Sequence, residues 1–149
     1  MFRLPGYQFV SNNRTGYKGG LAIYIRYPCQ YKICDDLTIN INNEVESIFT
    51  KIDQHLHKLV IGEIYRVPGT NAQISILEYQ KILHMLSTIS GRAMIAMNQN
   101  FNCMNIDHRG ITVDLIDALI SSSFVPTITE PTRITHYTAT LIINLYMPR

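Results

Sequence analysis

Amide side chains crowd one short segment of this 149-residue chain, where Asn98, Gln99, Asn100, Asn102 and Asn105 surround Phe101. Amides orient a phosphate or a water by hydrogen bonding but take no proton at neutral pH, so the cluster offers binding without a base. The same residues suit a turn, because asparagine tolerates left-handed backbone. His55 and His57 flank Leu56, and on a strand they share a face, as metal ligands can. No third ligand stands nearby, so the pair reads as exposed hairpin-turn residues. Asp35 and Asp36 point different ways on an extended chain and read as solvated carboxylates. Cys29, Cys34 and Cys103 match neither a zinc module nor a disulfide framework, and are expected to be reduced thiols.

The elements that must position these residues follow from hydrophobic periodicity. Residues 7–10 read as a strand and 12–16 as a turn. The continuous apolar run over 21–25 follows Gly19 and Gly20 and predicts a central strand covered on both faces. Residues 46–53 and 59–65 form a hairpin with its turn at 54–57, ended by Pro68 and Gly69. Over 74–87 the period becomes helical, with Leu77, Ile82, Leu83 and Leu86 recurring and Glu78 and Lys81 on other faces. Gly91 follows closely, and 93–97 predicts a buried strand whose C-terminal end carries the amide cluster. A second helix begins with Thr112 as N-cap, places Asp114 in its first turn and Val113, Ile116, Leu119 and Ile120 on one face, and closes at 121–123. Strands at 124–128 and 140–146 complete a pattern expected to give one α/β layered domain over 1–149, one sheet or two with helices outside.

Composition narrows the classes. With 46% hydrophobic and 16% charged residues the chain has the apolar surface that disordered chains lack. No apolar run approaches the roughly 20 residues that cross a bilayer, so no membrane span is expected. The first residues lack a basic segment followed by an apolar one, so an intracellular protein is expected. The net charge of +2 hides an asymmetry, because residues 1–34 hold Arg3, Arg14, Lys18, Arg26 and Lys32 with no acidic residue. Five of the nine tyrosines (Tyr7, Tyr17, Tyr24, Tyr27 and Tyr31) fall there too. Such a basic, aromatic surface suits a phosphate backbone, and a tyrosine-rich sheet with solvated cations explains the same residues.

Six short motifs stand in a familiar order. They are Leu4-Pro5-Gly6-Tyr7-Gln8-Phe9-Val10, Gly19-Gly20-Leu21-Ala22-Ile23-Tyr24, Glu46-Ser47-Ile48-Phe49, Ile64-Tyr65-Arg66-Val67-Pro68, Gln99-Asn100-Phe101-Asn102, and Pro131-Thr132-Arg133-Ile134-Thr135 followed by Thr140-Leu141-Ile142-Ile143-Asn144-Leu145-Tyr146. Together they resemble the endonuclease domain of non-LTR (LINE-type) retrotransposons. That domain is a branch of the endonuclease/exonuclease/phosphatase family, related to apurinic/apyrimidinic endonucleases. The resemblance covers essentially the whole chain and the interior of the family domain. It implies a four-layered α/β sandwich of two packed mixed sheets flanked by helices. It also implies a nuclear phosphodiesterase, part of a reverse transcriptase polyprotein, that uses magnesium to nick DNA and needs no small-molecule cofactor.

The resemblance also sets residue roles. In the family's Gly-Asp-Phe-Asn the aspartate serves the attacking water and the asparagine holds the phosphate. Here Asn102 keeps the second role, while Asn100 replaces the aspartate with an amide that is no base. In the family's Thr-Leu-Ile-Asp-Asn the aspartate supports a catalytic histidine, and here that position is Ile143, followed by Asn144. The strands bearing the family's metal-binding glutamate are expected before Met1 and the histidine after Arg149, so no metal ligand is assigned and a catalytically impaired remnant is expected. Tyr65, Thr138 and Asn144 match phosphate-side or substrate-side positions, and Arg133 reads equally as a contact to the DNA backbone or as a brace of its loop. Glu46 matches a later structural strand and reads as a strand-end carboxylate. Glu63, where the family has an aliphatic residue, shares a strand face with Tyr65 and reads as a carboxylate at an altered or exposed strand. The alternative to a nicking enzyme is a non-catalytic nucleic-acid-binding module that uses the basic N-terminal segment.

Overall fold

A computed structural model of the chain describes residues 4–14, 20–41, 44–54, 57–89, 92–104 and 110–148. In chain order its elements are β1 (Tyr7–Asn12), β2 (Leu21–Arg26), β3 (Tyr31–Ile33), a 3-10 turn (Asp35–Leu37), β4 (Asn40–Ile41), β5 (Val45–Gln54), β6 (His57–Arg66) and α1 (Ala72–Thr88). There follow β7 (Arg92–Asn98), α2 (Ile111–Ser121), β8 (Phe124–Pro126), β9 (Arg133–Ile134), β10 (Ala139–Thr140) and β11 (Ile143–Pro148).

The main sheet has seven strands in the order β3-β5-β6-β7-β11-β8, with β4 also on β5. The β5–β6 hairpin is paired from Val45–Arg66 to Gln54–His57, so the turn expected over 54–57 is narrower and His57 belongs to the ladder. His55 lies outside the described residues. The β6–β7 pair is parallel, joined by the crossover helix α1, and the other pairs are antiparallel. Mixed pairing of this kind needs cover on both faces, and the chain supplies it.

On one face lie α1 and α2, burying Ile76, Tyr79, Ile82, Leu83, Leu86, Leu115 and Leu119 against Val45, Phe49, Val60, Ile64, Ile95 and Met97. Each fully buried aliphatic side chain there contributes roughly 1.5–3 kcal/mol. Gly62 makes this packing possible, because Phe49 lies across it and a Cβ would fall 1.9 Å from the ring. On the other face the β1–β2 pair buries Val10, Leu21 and Ile25 against Ile48 and Ile52. Among the described residues, two packed sheets with helices on one side thus give three of the four layers that the resemblance implies, and the second sheet is an antiparallel pair there.

Several local expectations change. The strand at 21–25 is not central, since β2 pairs only with β1 among the described residues, and Ala22 and Tyr24 face outward. Helix α1 begins earlier than 74, because the Asn71 side chain accepts a hydrogen bond from the Gln73 backbone and caps it. Thr112 is not the cap of α2, whose first turn instead folds onto the Gly110 carbonyl through Val113 and Asp114. The strand expected over 140–146 is divided, with Thr140 in the β9–β10 hairpin and β11 starting at Ile143.

Candidate functional site

Ladder register brings one row of residues across the main sheet. Glu46 on β5 is opposite Tyr65 on β6, Tyr65 is opposite Asn98 on β7, and Asn98 is opposite Ile143 on β11. Paired residues share a face, and this one is the face toward β1–β2. The next rung carries Ile48, Glu63, Ala96 and Leu145 on the same face. The row lies at the carboxyl ends of the parallel strands β6 and β7, where open α/β sheets place their ligands.

Three polar residues mark the row, and a fourth, Glu63, stands on the next rung. Glu46 is 1% exposed and forms an ion pair with Arg14, which reaches it from the segment after β1. Among the described residues its Oε2 has no partner, and neither has the buried Oδ1 of Asn98. Tyr65 is half-buried and its hydroxyl makes no hydrogen bond among the described residues. Burial pushes the half-buried Glu63 carboxyl above its ordinary range.

The loop after β7 is fixed from several sides. Gln99, fully buried, donates through Nε2 to Cys103 Sγ at 2.7 Å and to the Tyr146 hydroxyl at 3.2 Å. Phe101 is buried under the Arg66 guanidinium, 4.5 Å from the ring centroid. Asn100 has left-handed backbone at φ 53°, which asparagine tolerates, and its Nδ2 donates to the Arg66 carbonyl at 2.8 Å. Asn102 uses Oδ1 to accept from the Met104 and Leu141 backbone amides at 3.2 and 3.3 Å. Its Nδ2 has no partner among the described residues and is left available to donate.

The matched positions therefore divide. Asn102 and Tyr65 keep donors at this end of the sheet that no described residue engages. Asn100 is committed to the backbone, and Ile143 is 41% exposed with no polar atom to offer. Asn144 departs from expectation: it is buried on the opposite face, where it accepts from Ile128 N at 3.0 Å and donates to Ile128 O at 2.8 Å, so it clamps a loop. Thr138 and Arg133 lie on the exposed β9–β10 hairpin, and the Thr138 hydroxyl is engaged with that of Thr135 at 2.8 Å. Glu46 stands near a strand end as expected, with Arg14 as a partner that sequence spacing did not reveal. That pairing also divides the basic segment. Arg14 is neutralised, Arg26 lies on the outer face of β2 with Tyr7 and Tyr24, and Lys32 lies on β3, while Arg3, Tyr17 and Lys18 fall outside the described residues.

Residues missed from sequence cluster on the hairpin. Tyr137 is 93% and Ile134 75% exposed, and the His136 ring meets Tyr137 edge-on. The polar Thr135 to Thr138 between two β-prone pairs was the available signal.

For the magnesium that the resemblance implies, the matched positions on this chain supply no carboxylate. Asn100 turns its amide to a carbonyl, Ile143 supplies no oxygen, and Glu46 is held by Arg14. Among the described residues no three His, Cys, Asp or Glu side chains gather to hold a metal, and no helix is long and apolar enough to cross a membrane.

No protein-family model matches the sequence, and no curated protein matches it. Solved structures do. The endonuclease domain of TRAS1, a telomere-specific non-LTR retrotransposon, is similar at TM-score 0.72 and 11% identity, over 99% of this chain and 68% of that one. Zebrafish (D. rerio) TDP2 complexed with single-strand DNA product is similar at TM-score 0.62 and 9% identity, over 96% and 62%. An endonuclease/exonuclease/phosphatase family protein from Bacteroides thetaiotaomicron gives 0.59 and 13%, over 97% and 60%. The fold is that of the endonuclease/exonuclease/phosphatase proteins, and the chain spans 60–68% of the length of these three.

Proposed function

We propose, with the endonuclease/exonuclease/phosphatase fold as premise, that this chain is a LINE-type endonuclease domain that holds DNA phosphates and has lost efficient phosphodiester hydrolysis. The observation that carries this reading is the division of the site: the phosphate-side donors of Asn102 and Tyr65 have no partner among the described residues, while Asn100 and Ile143 provide no base. Tyr65 donates its hydroxyl proton and Asn102 its Nδ2 hydrogen to non-bridging phosphate oxygens, which positions the backbone without reading sequence. The Asn102 side chain is already fixed by two backbone amides, so little rotamer entropy is lost when it binds.

The exposed hairpin extends this surface. Tyr137 offers a ring on which a base can stack, and Arg133 a cation for the backbone. The outer face of β1–β2, with Tyr7, Tyr24 and Arg26, supports a binding role for the N-terminal segment as well. A nuclear location and descent from a reverse transcriptase polyprotein belong to the same reading.

Fluorescence anisotropy with a labelled DNA duplex tests it. Binding is expected without added metal, weakening steeply between about 50 and 200 mM salt as counterions are released. Tyr65→Phe removes one donor and is expected to weaken binding by about 1 kcal/mol. Salt-independent binding, or none, contradicts the proposal.

A further inference from the structure

A groove of about 490 Å³ lies on the opposite face of the main sheet from the Tyr65 row, between β3, the 3-10 turn and the end of α1. Its floor is apolar, built from Leu37, Met85 and Ile89, and Cys34 opens onto it. Lys32 and Lys51 both line it, and they are directly opposite each other across the β3–β5 ladder.

Two like charges in register across a ladder destabilise the sheet. Neither lysine forms an ion pair with a described residue, and Lys51 is half-buried. An anion seated between the two ammonium groups removes that repulsion and makes charge-assisted hydrogen bonds to both. The volume falls within the range of small-molecule pockets. We infer that this groove binds a small organic anion, a phosphate or carboxylate carried on an apolar body.

The remaining lining residues set the size of that ligand. Asp35 and Asp36 on the 3-10 turn line the groove too and equal the two lysines in charge, so a single anionic head on the lysine pair is favoured over a polyanion spread across the groove. Burial pushes the Cys34 thiol up, so it stays neutral and adds no negative charge. The apolar body packs on the floor.

Amide chemical shifts of the isotopically labelled chain, titrated with phenyl phosphate, benzoate and benzyl alcohol, test the inference. Saturable shifts confined to residues 31–37, 51 and 85–89 are expected with both anions and not with the alcohol. The Lys32→Gln, Lys51→Gln double variant is expected to bind at least about fivefold more weakly. Should that variant lose its fold, Lys32→Gln alone, at an exposed position, carries the same expectation. Co-sedimentation with phosphatidic acid vesicles in phosphatidylcholine, lost in the same variant, assigns the anion to a lipid headgroup, and solution binding alone assigns it to a free molecule. Equal binding of the alcohol, shifts gathered at Tyr65 and Asn98, or unchanged affinity in a folded lysine variant overturns the inference.

Discussion

At the scale of single residues, Asn100 holds the decisive position because its amide nitrogen donates to the Arg66 carbonyl. An aspartate there turns an acceptor toward an acceptor. Asn100→Asp is therefore expected to lower stability by about 1–2 kcal/mol and to gain no nicking activity, read from chemical denaturation beside a plasmid assay. A stable, active Asn100→Asp protein contradicts this geometry. Glu63 makes a pH prediction. Its carboxyl is raised by burial in the folded chain, so its contribution is fully present below the ordinary carboxylate value and is lost as pH rises through the raised one. Glu63→Gln is expected to remove that loss, leaving the variant the more stable protein at neutral pH, and parallel pH profiles would count against it. Asn100 and Ile143 stood out in the sequence because they lie inside ordered motifs. The Arg14–Glu46 pair was not, because the fold alone joins residues 32 apart. Asn144 was misplaced by its motif, since period-2 alternation sends it to the face opposite Ile143.

At the scale of elements, the β9–β10 hairpin is exposed almost throughout. Tyr137→Ala is expected to leave the melting temperature unchanged and to weaken single-stranded DNA binding by about 1–3 kcal/mol, as measured by anisotropy. A shift in melting temperature with no change in affinity would assign the ring to structure. Most elements were legible from periodicity, and the failures have physical causes. The apolar run 21–25 looked central, yet Ala22 and Tyr24 alternate outward, and small or amphipathic residues do not report which face they meet. The hairpin was hidden because 140–146 is uniformly β-prone, and it is the backbone pairing of Thr140 with Arg133 that separates it from β11. Helix starts shifted because a side-chain cap was available at Asn71 and a backbone one sufficed at Gly110.

At the scale of the whole molecule, the two-sheet layering sets Tyr65 and Asn98 at one end of the main sheet, with Asn102 in the loop that follows, and the proposed anion groove lies on the other face. Fold and layers were legible because six motifs stood in order. The chemistry was legible only in part, because free and committed donors look alike in sequence. The central claim is that phosphate-holding donors survive without a hydrolytic base. Nicking of supercoiled plasmid by the purified chain in magnesium, beside an EDTA control and Glu63→Gln, tests it most directly. No nicking above the EDTA control is expected at protein concentrations that saturate DNA binding. Magnesium-dependent nicking by the original chain that EDTA stops would contradict it, and its loss in Glu63→Gln would identify the carboxylate responsible.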